Sequence, residues 1–472
     1  MLERFREDLA ARGLIPAGAS VLLGYSGGAD STCLLHMLKS LGVEVSAGHL
    51  HHGQRPEADE ELRRCEAFCE ELGVPFVSGR ADVPRLAKEL KIGLEEAGRE
   101  ARYHFLGSAA YRLGCDLIAT AHTREDLVET VLLNLARGCG LHGLAGIPAR
   151  RDNIVRPLLG FSREETRAYC RTHGLWFHDD PANDDLSFSR ARIRHRVVGE
   201  LRQINPAFDL AVERTAERVG EEDRFLNGMA AAALEQCEKP LNGALRFLTL
   251  DCEVAFDRDR LTALPPVLFN RGIRLAVAAL GSSLDSAQTS AIASGVGSSV
   301  RGAVTSDEGK VTVEWSPGTI HIRRLESSAP FRQPLTAPGE TLCDELGWSI
   351  VAVPIKTAVP RERTDLEVDV DLARVKGNLH FHSVQPGDKI QPAGFDGHRS
   401  VSTLLSDAKL TRAARARLPI ICDMLGPIWI PGVCIGSRIL PCPNSANLIR
   451  LGFRSLDQGE EHNVETRTKG RT

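Results

Sequence analysis

The chain has 472 residues, of which 42% are hydrophobic and 25% are charged, and its formal net charge is −4. These values are typical of a soluble globular protein, and the slightly acidic charge argues mildly against a nucleic-acid-binding protein. The length predicts two or three domains that bury their own cores. No apolar run approaches the roughly 18 residues that span a bilayer, and none follows the charged first residues as in a signal peptide, so we expect a cytoplasmic protein.

The twelve cysteines are scattered along the chain, and none belongs to a Cys-x-x-Cys pair. In a long chain without secretion signals, such cysteines are mostly small buried hydrophobic residues. The pattern therefore argues against an iron–sulfur cluster or another metal site built from cysteines.

The first 136 residues alternate strand-like apolar runs with helical stretches. The strand-like runs fall at residues 20–28 (ending in a glycine turn), 43–50, 74–78 and 116–120, and the helical stretches at 30–41, 56–72, 86–113 (interrupted near Gly93 and Gly98) and 125–136. This alternation predicts a parallel sheet with helices on both faces. In such sheets ligands bind at the carboxyl ends of the strands.

The pattern changes after residue 205. A long helical stretch at 209–235 is followed by a helix near 264–280, by strands at 310–315 and 319–324, and by a linker at 327–338. We therefore predict an α/β protein with an N-terminal parallel-sheet domain (1–208) and a mostly helical middle domain (209–330). A small β-rich C-terminal domain (340–456), with one helix near 401–417, precedes a disordered polar tail (457–472).

A glycine-rich loop between the first strand and the first helix carries the strongest functional signal. It consists of Ser26, Gly27, Gly28, Ala29, Asp30 and Ser31. Two glycines allow the backbone to turn its N–H groups inward, and the helix that follows adds its positive N-terminal end, so the loop suits an anion of about the size of pyrophosphate. A carboxylate beside phosphates is the usual way to hold Mg²⁺, which we assign to Asp30. The alternative is an ordinary glycine turn capped by serines, and the loop lacks the Gly-Lys-Ser/Thr ending of a Walker A motif.

The sequence Ser-Gly-Gly-x-Asp-Ser resembles the signature of the PP-loop ATP pyrophosphatases, which have an adenine nucleotide alpha hydrolase-like fold. Further motifs, taken in order, resemble those of the tRNA(Ile)-lysidine synthetase family. The resemblance covers nearly the whole chain and weakens between about 230 and 340. The N-terminal motifs are His49–Arg55, Gly98–Tyr103, Ala119–His122, Glu129–Gly138, Gly143–Gly146, Arg156–Leu159, Asp180–Asn183 and Arg190–His195. The C-terminal motifs are Val384–Ile390, Gly394–Phe395, Leu418–Pro419, Asp423 and Trp429–Gly432.

This resemblance implies a reaction in two steps. ATP adenylates the C2 oxygen of cytidine 34 in the CAU anticodon of tRNA(Ile), and the ε-amine of free L-lysine then displaces AMP to give lysidine, which changes codon specificity from AUG to AUA. The expected substrates and cofactors are therefore ATP, Mg²⁺, lysine and this tRNA, and the family suggests a homodimer. The C-terminal domain is expected to bind the tRNA.

The resemblance also implies roles for individual residues. Residues 26–31 bind ATP, and Asp126 and Glu129, three apart on one helix face, bind the amino groups of lysine. Asp30, Asp126, Arg102, Arg192 and Arg194 are the expected catalytic residues, the arginines as phosphate or cytidine contacts. Taken without the family, the two carboxylates predict a solvated acidic helix face, and the arginines predict surface charge.

One motif departs from the family pattern Ala-His-His-x-Asp-Asp-Gln. At positions 121–127, Thr123 replaces the second histidine, Glu125 the first aspartate and Leu127 the glutamine, whereas Asp126 is kept. Ala191 likewise replaces an asparagine of Arg-Asn-x-Ile-Arg. These departures support one alternative, a catalytically impaired tRNA-binding protein. A second alternative, a tRNA cytidine thiolase of the same superfamily, usually needs Cys-x-x-Cys or cluster ligands, which this chain lacks.

Overall fold

The computed structural model describes residues 1–51, 58–178, 189–306, 309–325 and 329–456. Contacts divide the chain into two compact units, Met1–Phe225 and Leu226–Thr472, and the division falls within a long helix. The predicted division into three domains stays a prediction. The predicted tail 457–472 and part of the predicted linker, residues 327 and 328, lie outside the described residues.

The first unit contains eleven helices in its described part, and the last helix continues into the second unit. The helices are α1 (Leu2–Arg12), α2 (Ala29–Ser40), α3 (Ala58–Glu71), α4 (Val83–Leu90), α5 (Leu94–Leu113), α6 (Arg124–Ala136), α7 (Leu141–Leu144), α8 (Arg163–Thr172), α9 (Ser189–Arg192), α10 (Gly199–Ile204) and α11 (Phe208–Cys237). A π-helical turn, Ile193–Val198, joins α9 to α10. No helix of the described residues is long and apolar enough to cross a membrane.

The strands of this unit form one sheet, as the alternating pattern predicted. They are β1 (Ser20–Gly24), β2 (Glu44–His51), β3 (Phe76–Arg80), β4 (Leu117–Ala119), β5 (Arg150–Arg151) and β6 (Ile154–Val155). The order is β3-β2-β1-β4-β6-β5, with every neighbouring pair parallel except β5 and β6. From β1 the chain continues to β2, which pairs with one edge of β1, whereas β4 pairs with the other edge. The carboxyl ends of β1 and β4 therefore flank the point where the strand order reverses, which is the usual ligand crevice of such sheets.

Both faces of the sheet are covered, which explains why β1 is apolar at successive positions. Val21 and Leu23 pack into a core with residues of α2, α3 and α8, whereas Leu22 packs on the opposite face against Leu106 of α5 and Ile118 of β4. Strands buried on both sides need apolar residues at odd and even positions alike.

The predicted break near Gly93 is confirmed, since α4 ends at Leu90 and α5 begins at Leu94 with Gly93 as its N-cap. The predicted interruption near Gly98 is wrong, because Gly98 is buried inside α5. A glycine in a helix costs about 1 kcal/mol relative to alanine. The neighbouring Ala97 packs against Val83 and Ala87 of α4, and such tertiary burial outweighs a local propensity of that size.

The second unit begins with a helix-covered antiparallel sheet. Its order is β7 (Glu238–Lys239), β8 (Glu253–Asp257), β11 (Thr319–Arg324), β10 (Val311–Ser316) and β9 (Gly302–Thr305). Three helices accompany it: α12 (Arg258–Thr262), α13 (Pro266–Ala279) and α14 (Ser286–Ser298). The predicted helix near 264–280 and both predicted strands are confirmed. The core contains Trp315, and a Cβ at Gly295 or Gly302 would lie 2.4 or 2.2 Å from its ring.

The rest of the second unit is β-rich, as predicted. One sheet has the order β12 (Arg332–Pro334), β16 (His380–His382), β19 (Ile420–Asp423), β20 (Gly426–Ile430), β21 (Cys434–Ile435). A second has the order β13 (Gly339–Cys343), β14 (Trp348–Ile355), β22 (Leu448–Ser455), β15 (Glu367–Asp371), and β17 (Lys389–Ile390) pairs with β18 (Arg399–Ser400).

The single helix predicted near 401–417 is in fact two, α15 (Val401–Asp407) and α16 (Arg412–Arg417). Between them Lys409 has a left-handed backbone (φ 55°), which ends a helix. The Thr411 hydroxyl then caps α16 by accepting from the Ala414 N–H.

Candidate active site

The Ser26–Ser31 loop connects β1 to the N-terminus of α2 and is closed by its own hydroxyls. The Ser26 and Ser31 Oγ atoms lie 3.1 Å apart, and the Gly28 N–H donates to Ser26 Oγ at 3.3 Å. The Ser31 hydroxyl donates to the Gly28 carbonyl at 3.0 Å. These bonds hold two hydroxyls beside the first turn of α2, where backbone N–H groups have no partner within the helix. The loop is thus preformed as an anion cradle at a helix N-terminus.

Position 27 requires a glycine, both because of its backbone conformation and because a side chain would not fit there. Its φ is 77°, in the left-handed region, and an added Cβ would lie 2.8 Å from Cys65 Sγ and 3.4 Å from the Trp176 ring. The Gly27 carbonyl also accepts from the His178 N–H at 2.8 Å. The loop is therefore pressed between α3 and the segment that follows α8.

Replacing Gly27 by alanine is expected to weaken ATP binding by about tenfold or more. The left-handed conformation alone costs about 1–2 kcal/mol for an L side chain, and the close contact with Cys65 forces the loop to shift. Titration calorimetry with ATP measures the effect. Gly13→Ala is the matched control, since Gly13 has a φ of 56° but nothing within 4 Å of an added Cβ. The control should lose stability and keep its ATP affinity; equal ATP affinity in the two variants would contradict the role of the loop.

Asp30, in the first turn of α2, is a carboxylate whose charge the Arg163 guanidinium and the Thr166 hydroxyl compensate only in part. Burial raises the pKa of the Asp30 carboxyl to about 6, with further raising by the nearby Asp126 and Glu125 carboxylates. The Thr166 hydroxyl of α8 donates to its Oδ1 and works in the opposite direction. A hard oxygen donor whose charge is only partly compensated, and which lies beside a phosphate cradle, suits a divalent cation such as Mg²⁺.

The two carboxylates Asp126 and Glu129 of α6 are not on a solvated face. Glu129 is only 1% exposed, and two arginines enclose the pair. The Arg163 guanidinium reaches Asp126 Oδ1 at 2.6 Å and Glu129 Oε1 at 2.9 Å. Arg194, in the π-helical turn, donates to Glu129 Oε1 at 2.8 Å and to Oε2 at 3.2 Å. Without the family, the residues predicted a solvated acidic face, and the burial contradicts that interpretation.

The charge state of Asp126 follows from these contacts. Burial by itself raises the pKa of this carboxyl, but the Arg163 guanidinium, His122 and the Thr123 N–H together lower its pKa to about 2. Asp126 and Glu129 in turn raise the pKa of Arg163 above its ordinary value, against the effect of burial. Asp126 and Arg163 therefore form an ionised pair at the carboxyl end of β4.

Sequence reasoning missed Arg163. Its signal was present, because Ser162 and Glu165 form a capping box that starts α8: the Glu165 N–H donates to Ser162 Oγ at 3.2 Å, and the Ser162 N–H to Glu165 Oε2 at 2.7 Å. A helix start following the Arg156–Leu159 motif places Arg163 in the first turn. Only the fold brings that turn against α6.

The predicted arginines take different positions. Arg102 of α5 is exposed to solvent and lies near the positive charges of Arg99 and Arg190. Arg190 donates to the Thr130 hydroxyl of α6 at 2.9 Å. Arg192 is exposed, and within the described part of the chain it forms no hydrogen bond or ion pair with Asp126, Glu129 or Arg163.

His122 follows β4 and lies in the same electrostatic environment. Burial lowers the pKa of its ring to about 4; the arginines Arg156, Arg190 and Arg102 lower the pKa as well, and Asp126 raises it. Its Nδ1 is 2.9 Å from the Thr120 hydroxyl. The ring is therefore neutral at physiological pH. Arg102 and Asp126 are therefore both close enough to His122 to interact with it electrostatically.

The neutral His122 ring should make stability depend on pH. Because the pKa is lower in the folded chain than the ordinary value of 6.5, the unfolded chain binds the proton more tightly. The stability contributed by the neutral ring is full above about pH 6.5 and is lost as the pH falls toward 4, by up to about 3 kcal/mol. We expect His122→Gln to remove this slope when unfolding free energies are compared between pH 7 and pH 4.5. Parallel curves for the variant and the parent chain would contradict the assignment.

Comparison with known proteins identifies the family. Residues 4–201 match the family described as the PP-loop domain, and residues 379–451 match the TilS substrate C-terminal domain. A curated tRNA(Ile)-lysidine synthase from Symbiobacterium thermophilum is 31% identical over 485 residues, which cover 97% of this chain and 99% of the relative. One from Geobacter sulfurreducens is 30% identical and covers 97% of this chain and 98% of the relative.

The chain belongs to the tRNA(Ile)-lysidine synthase family. It is therefore an ATP-dependent ligase with a PP-loop nucleotide-binding domain. The predicted family, the α/β fold class and the enzyme class are confirmed.

The departures from the pattern expected for this family are accommodated around Asp126. Thr123, which is fully buried, donates to Asp126 Oδ2 from its N–H at 2.8 Å and from its hydroxyl at 3.1 Å. Glu125 accepts the Arg163 N–H at 3.0 Å and so anchors the start of α8. Leu127 packs with Leu159 in a small core. Thr123 thus holds the retained carboxylate in position, and the other two replacements have partners of their own.

Other motif residues have structural partners or lie outside the described residues. His52–Arg55 and Asp180–Asn183 are outside them. In the basic stretch 399–417, Arg399 pairs with Asp407 at 2.7 Å, and Arg417 pairs with Asp251. Trp429 is fully buried and is therefore a core residue.

Proposed function

We propose that this chain ligates free L-lysine to C2 of cytidine 34 in a tRNA(Ile) with a CAU anticodon and cleaves ATP to AMP and pyrophosphate. The observation that carries the proposal is the placement of a phosphate cradle and a buried pair of carboxylates at the carboxyl ends of two adjacent strands, β1 and β4. An ATP-cleaving loop requires only the first of these features. A second substrate with positively charged amino groups accounts for the other.

In the first step the cytidine O2 attacks the α-phosphorus of ATP, and pyrophosphate leaves. The Ser26 and Ser31 hydroxyls and the first N–H groups of α2 bind the departing pyrophosphate. We assign to Arg102 and Arg190, whose charges act on His122 at the end of β4, the stabilisation of the transferring adenylate. Arg192, being exposed, is proposed to contact the tRNA backbone.

We assign Asp30 as the protein ligand that would hold Mg²⁺, because its carboxylate is desolvated and lies beside the cradle. When bound, the ion supplies neutralisation of phosphate charge. Thr166 orients the carboxylate by donating to Oδ1, which leaves the remaining oxygen lone pairs for the cation.

In the second step the ε-ammonium of lysine first gives a proton to solvent, and the neutral amine then attacks C2. AMP leaves with the former cytidine oxygen, and the new C–N nitrogen gives its second proton to solvent. Asp126 and Glu129 bind the cationic part of lysine through charge-assisted hydrogen bonds. In the lysine-free chain, Arg163 and Arg194 compensate these buried charges, which otherwise would be costly to bury. A bound lysine would therefore either displace these arginines from the Asp126 and Glu129 carboxylates or share the carboxylate oxygens with them.

Three parts of the proposal concern the wider setting of the reaction. We propose that the C-terminal domain binds the tRNA, that the protein acts as a homodimer, and that it works in the cytoplasm, where ATP, lysine and tRNA meet.

The test is an assay with purified protein, Mg-ATP, radiolabelled lysine and a tRNA(Ile) transcript carrying CAU, with a tRNA(Met) transcript as control. Lysine incorporation into the first tRNA alone, with AMP released, is the expected result. Pyrophosphate release without lysine transfer would restrict the function to adenylation. Neither activity, with tRNA still bound, would favour the alternative of an impaired tRNA-binding protein.

A further inference from the structure

Three side chains with metal-binding chemistry meet on the C-terminal sheet. His380 and His382 are two residues apart on β16 and therefore lie on the same side of the strand. Cys422 of the neighbouring β19 pairs directly with His380 in the antiparallel register. One ligand atom from each of these three residues lies within 4.8 Å of the other two. His382 and Cys422 are buried, and His380 is partly exposed.

The hydrogen bonds of His382 fix its tautomer. Its Nδ1 lies 2.8 Å from the Ser383 carbonyl, which can only accept, so Nδ1 carries the proton. The Nε2 lone pair consequently points at Cys422 Sγ, 3.2 Å away. The Asp388 carboxylate is 3.9 Å from Nδ1. A histidine whose Nδ1–H is oriented by a carbonyl or a carboxylate, with Nε2 free to coordinate, is the usual arrangement of a metal ligand.

The same geometry also resembles a Cys–His nucleophile pair, but burial argues against that. Cys422 is only 1% exposed, so no substrate can approach its sulfur. Burial also raises the pKa of its thiol to about 12, whereas reactive cysteines have lowered pKa values. A small cation needs less access than a substrate, and the partly exposed His380 is the side of the cluster that faces solvent.

We propose that His380, His382 and Cys422 bind one Zn²⁺ ion, or a closely similar thiolate-binding divalent cation, with water as the fourth ligand. Zn–N and Zn–S bonds of about 2.0 and 2.3 Å place tetrahedral donors about 3.5 Å apart, close to the observed Cys422–His382 separation. The Cys422 thiol releases its proton to solvent when the ion binds. The exposed Arg332, now 3.4 Å from His380 Nε2, swings into solvent. The ion joins β16 to β19 and stabilises the C-terminal sheet, and this role is independent of the ligase reaction.

The test uses the full chain without a polyhistidine tag, stripped with chelator and titrated with Co²⁺ and with Zn²⁺. We expect about one equivalent of tightly held metal by elemental analysis, and a thiolate-to-Co²⁺ charge-transfer absorption that Zn²⁺ abolishes. Cys422→Ser should lose the absorption and at least tenfold in affinity. Cys434→Ser is the matched control, because Cys434 is also buried in this sheet, on β21, and should leave both unchanged.

His380→Gln provides a second variant in case Cys422→Ser fails to fold, since His380 is only partly buried. Circular dichroism checks folding, and this variant should bind Co²⁺ at least tenfold more weakly while retaining the thiolate absorption at saturation. Zn²⁺ should also raise the melting temperature of the stripped parent chain more than that of either ligand variant. Sub-stoichiometric metal in the parent chain, or an absorption that persists in Cys422→Ser, would overturn the proposal.

Discussion

Asp30→Asn is expected to abolish the formation of AMP and pyrophosphate, with a loss of about 10³-fold or more in rate. Asparagine keeps the shape of the side chain and can still accept from the Thr166 hydroxyl, but it lacks the charge that holds a divalent cation beside the phosphates. The measurement is pyrophosphate release at saturating Mg-ATP and tRNA. Asp116→Asn is the matched control: Asp116 is exposed, bonds to Ser20 at the amino ends of β1 and β4, and should leave the rate unchanged.

The same variant should be more stable than the parent chain, which separates lost catalysis from lost folding. Burial opposes the charge on Asp30, and a shift of about two pKa units corresponds to about 3 kcal/mol at neutral pH. Thermal unfolding without nucleotide should therefore show a higher melting temperature for Asp30→Asn. An active variant would refute the role in cation binding, and a destabilised one would refute the account of the desolvated carboxylate.

Glu129→Gln is expected to reduce kcat/KM for lysine by about 10- to 100-fold, mainly through KM, while the lysine-independent release of pyrophosphate is retained. A hydrogen bond to a charged group contributes about 1.5–3 kcal/mol, and glutamine offers no charge to the lysine ammonium. The loss also leaves Arg163 and Arg194 with less compensation, so repulsion between these guanidiniums and the incoming cation adds to the effect.

The measurement is lysine transfer as a function of lysine concentration, beside pyrophosphate release without lysine. Glu125→Gln is the matched control, because Glu125 lies in the same helix and accepts from the backbone N–H of Arg163, a bond that a glutamine oxygen can also accept. We expect the control to change KM for lysine less than threefold. An unchanged KM in Glu129→Gln would remove this residue from the lysine site, and loss of pyrophosphate release in the same variant would indicate a collapse of the whole charged group.

Local patterns in the sequence predicted the elements whose structure depends on near neighbours. The strand–glycine–helix order at 20–41 is such a case, because glycine conformation and helix spacing are properties of a few consecutive residues. The two wrong helix predictions show the limit of the same rules. Gly98 stays helical because Ala97 beside it is buried against α4, and the helix at 401–417 divides because Lys409 adopts a left-handed conformation.

The sequence by itself determined the strand–loop–helix cradle of residues 26–31, the parallel sheet, the spacing of Asp126 and Glu129 on one helix, and the family. Only the tertiary structure decided the electrostatics of the site. Arg163 lies 37 residues from Asp126 along the chain, and Cys422 lies 40 residues from His382, yet each pair is in contact. Charge interactions and burial depend on distance through space and on the surrounding medium. The raised pKa of Asp30, the neutral His122 and the histidine–cysteine cluster therefore follow from how the elements pack, and no local spacing rule specifies them.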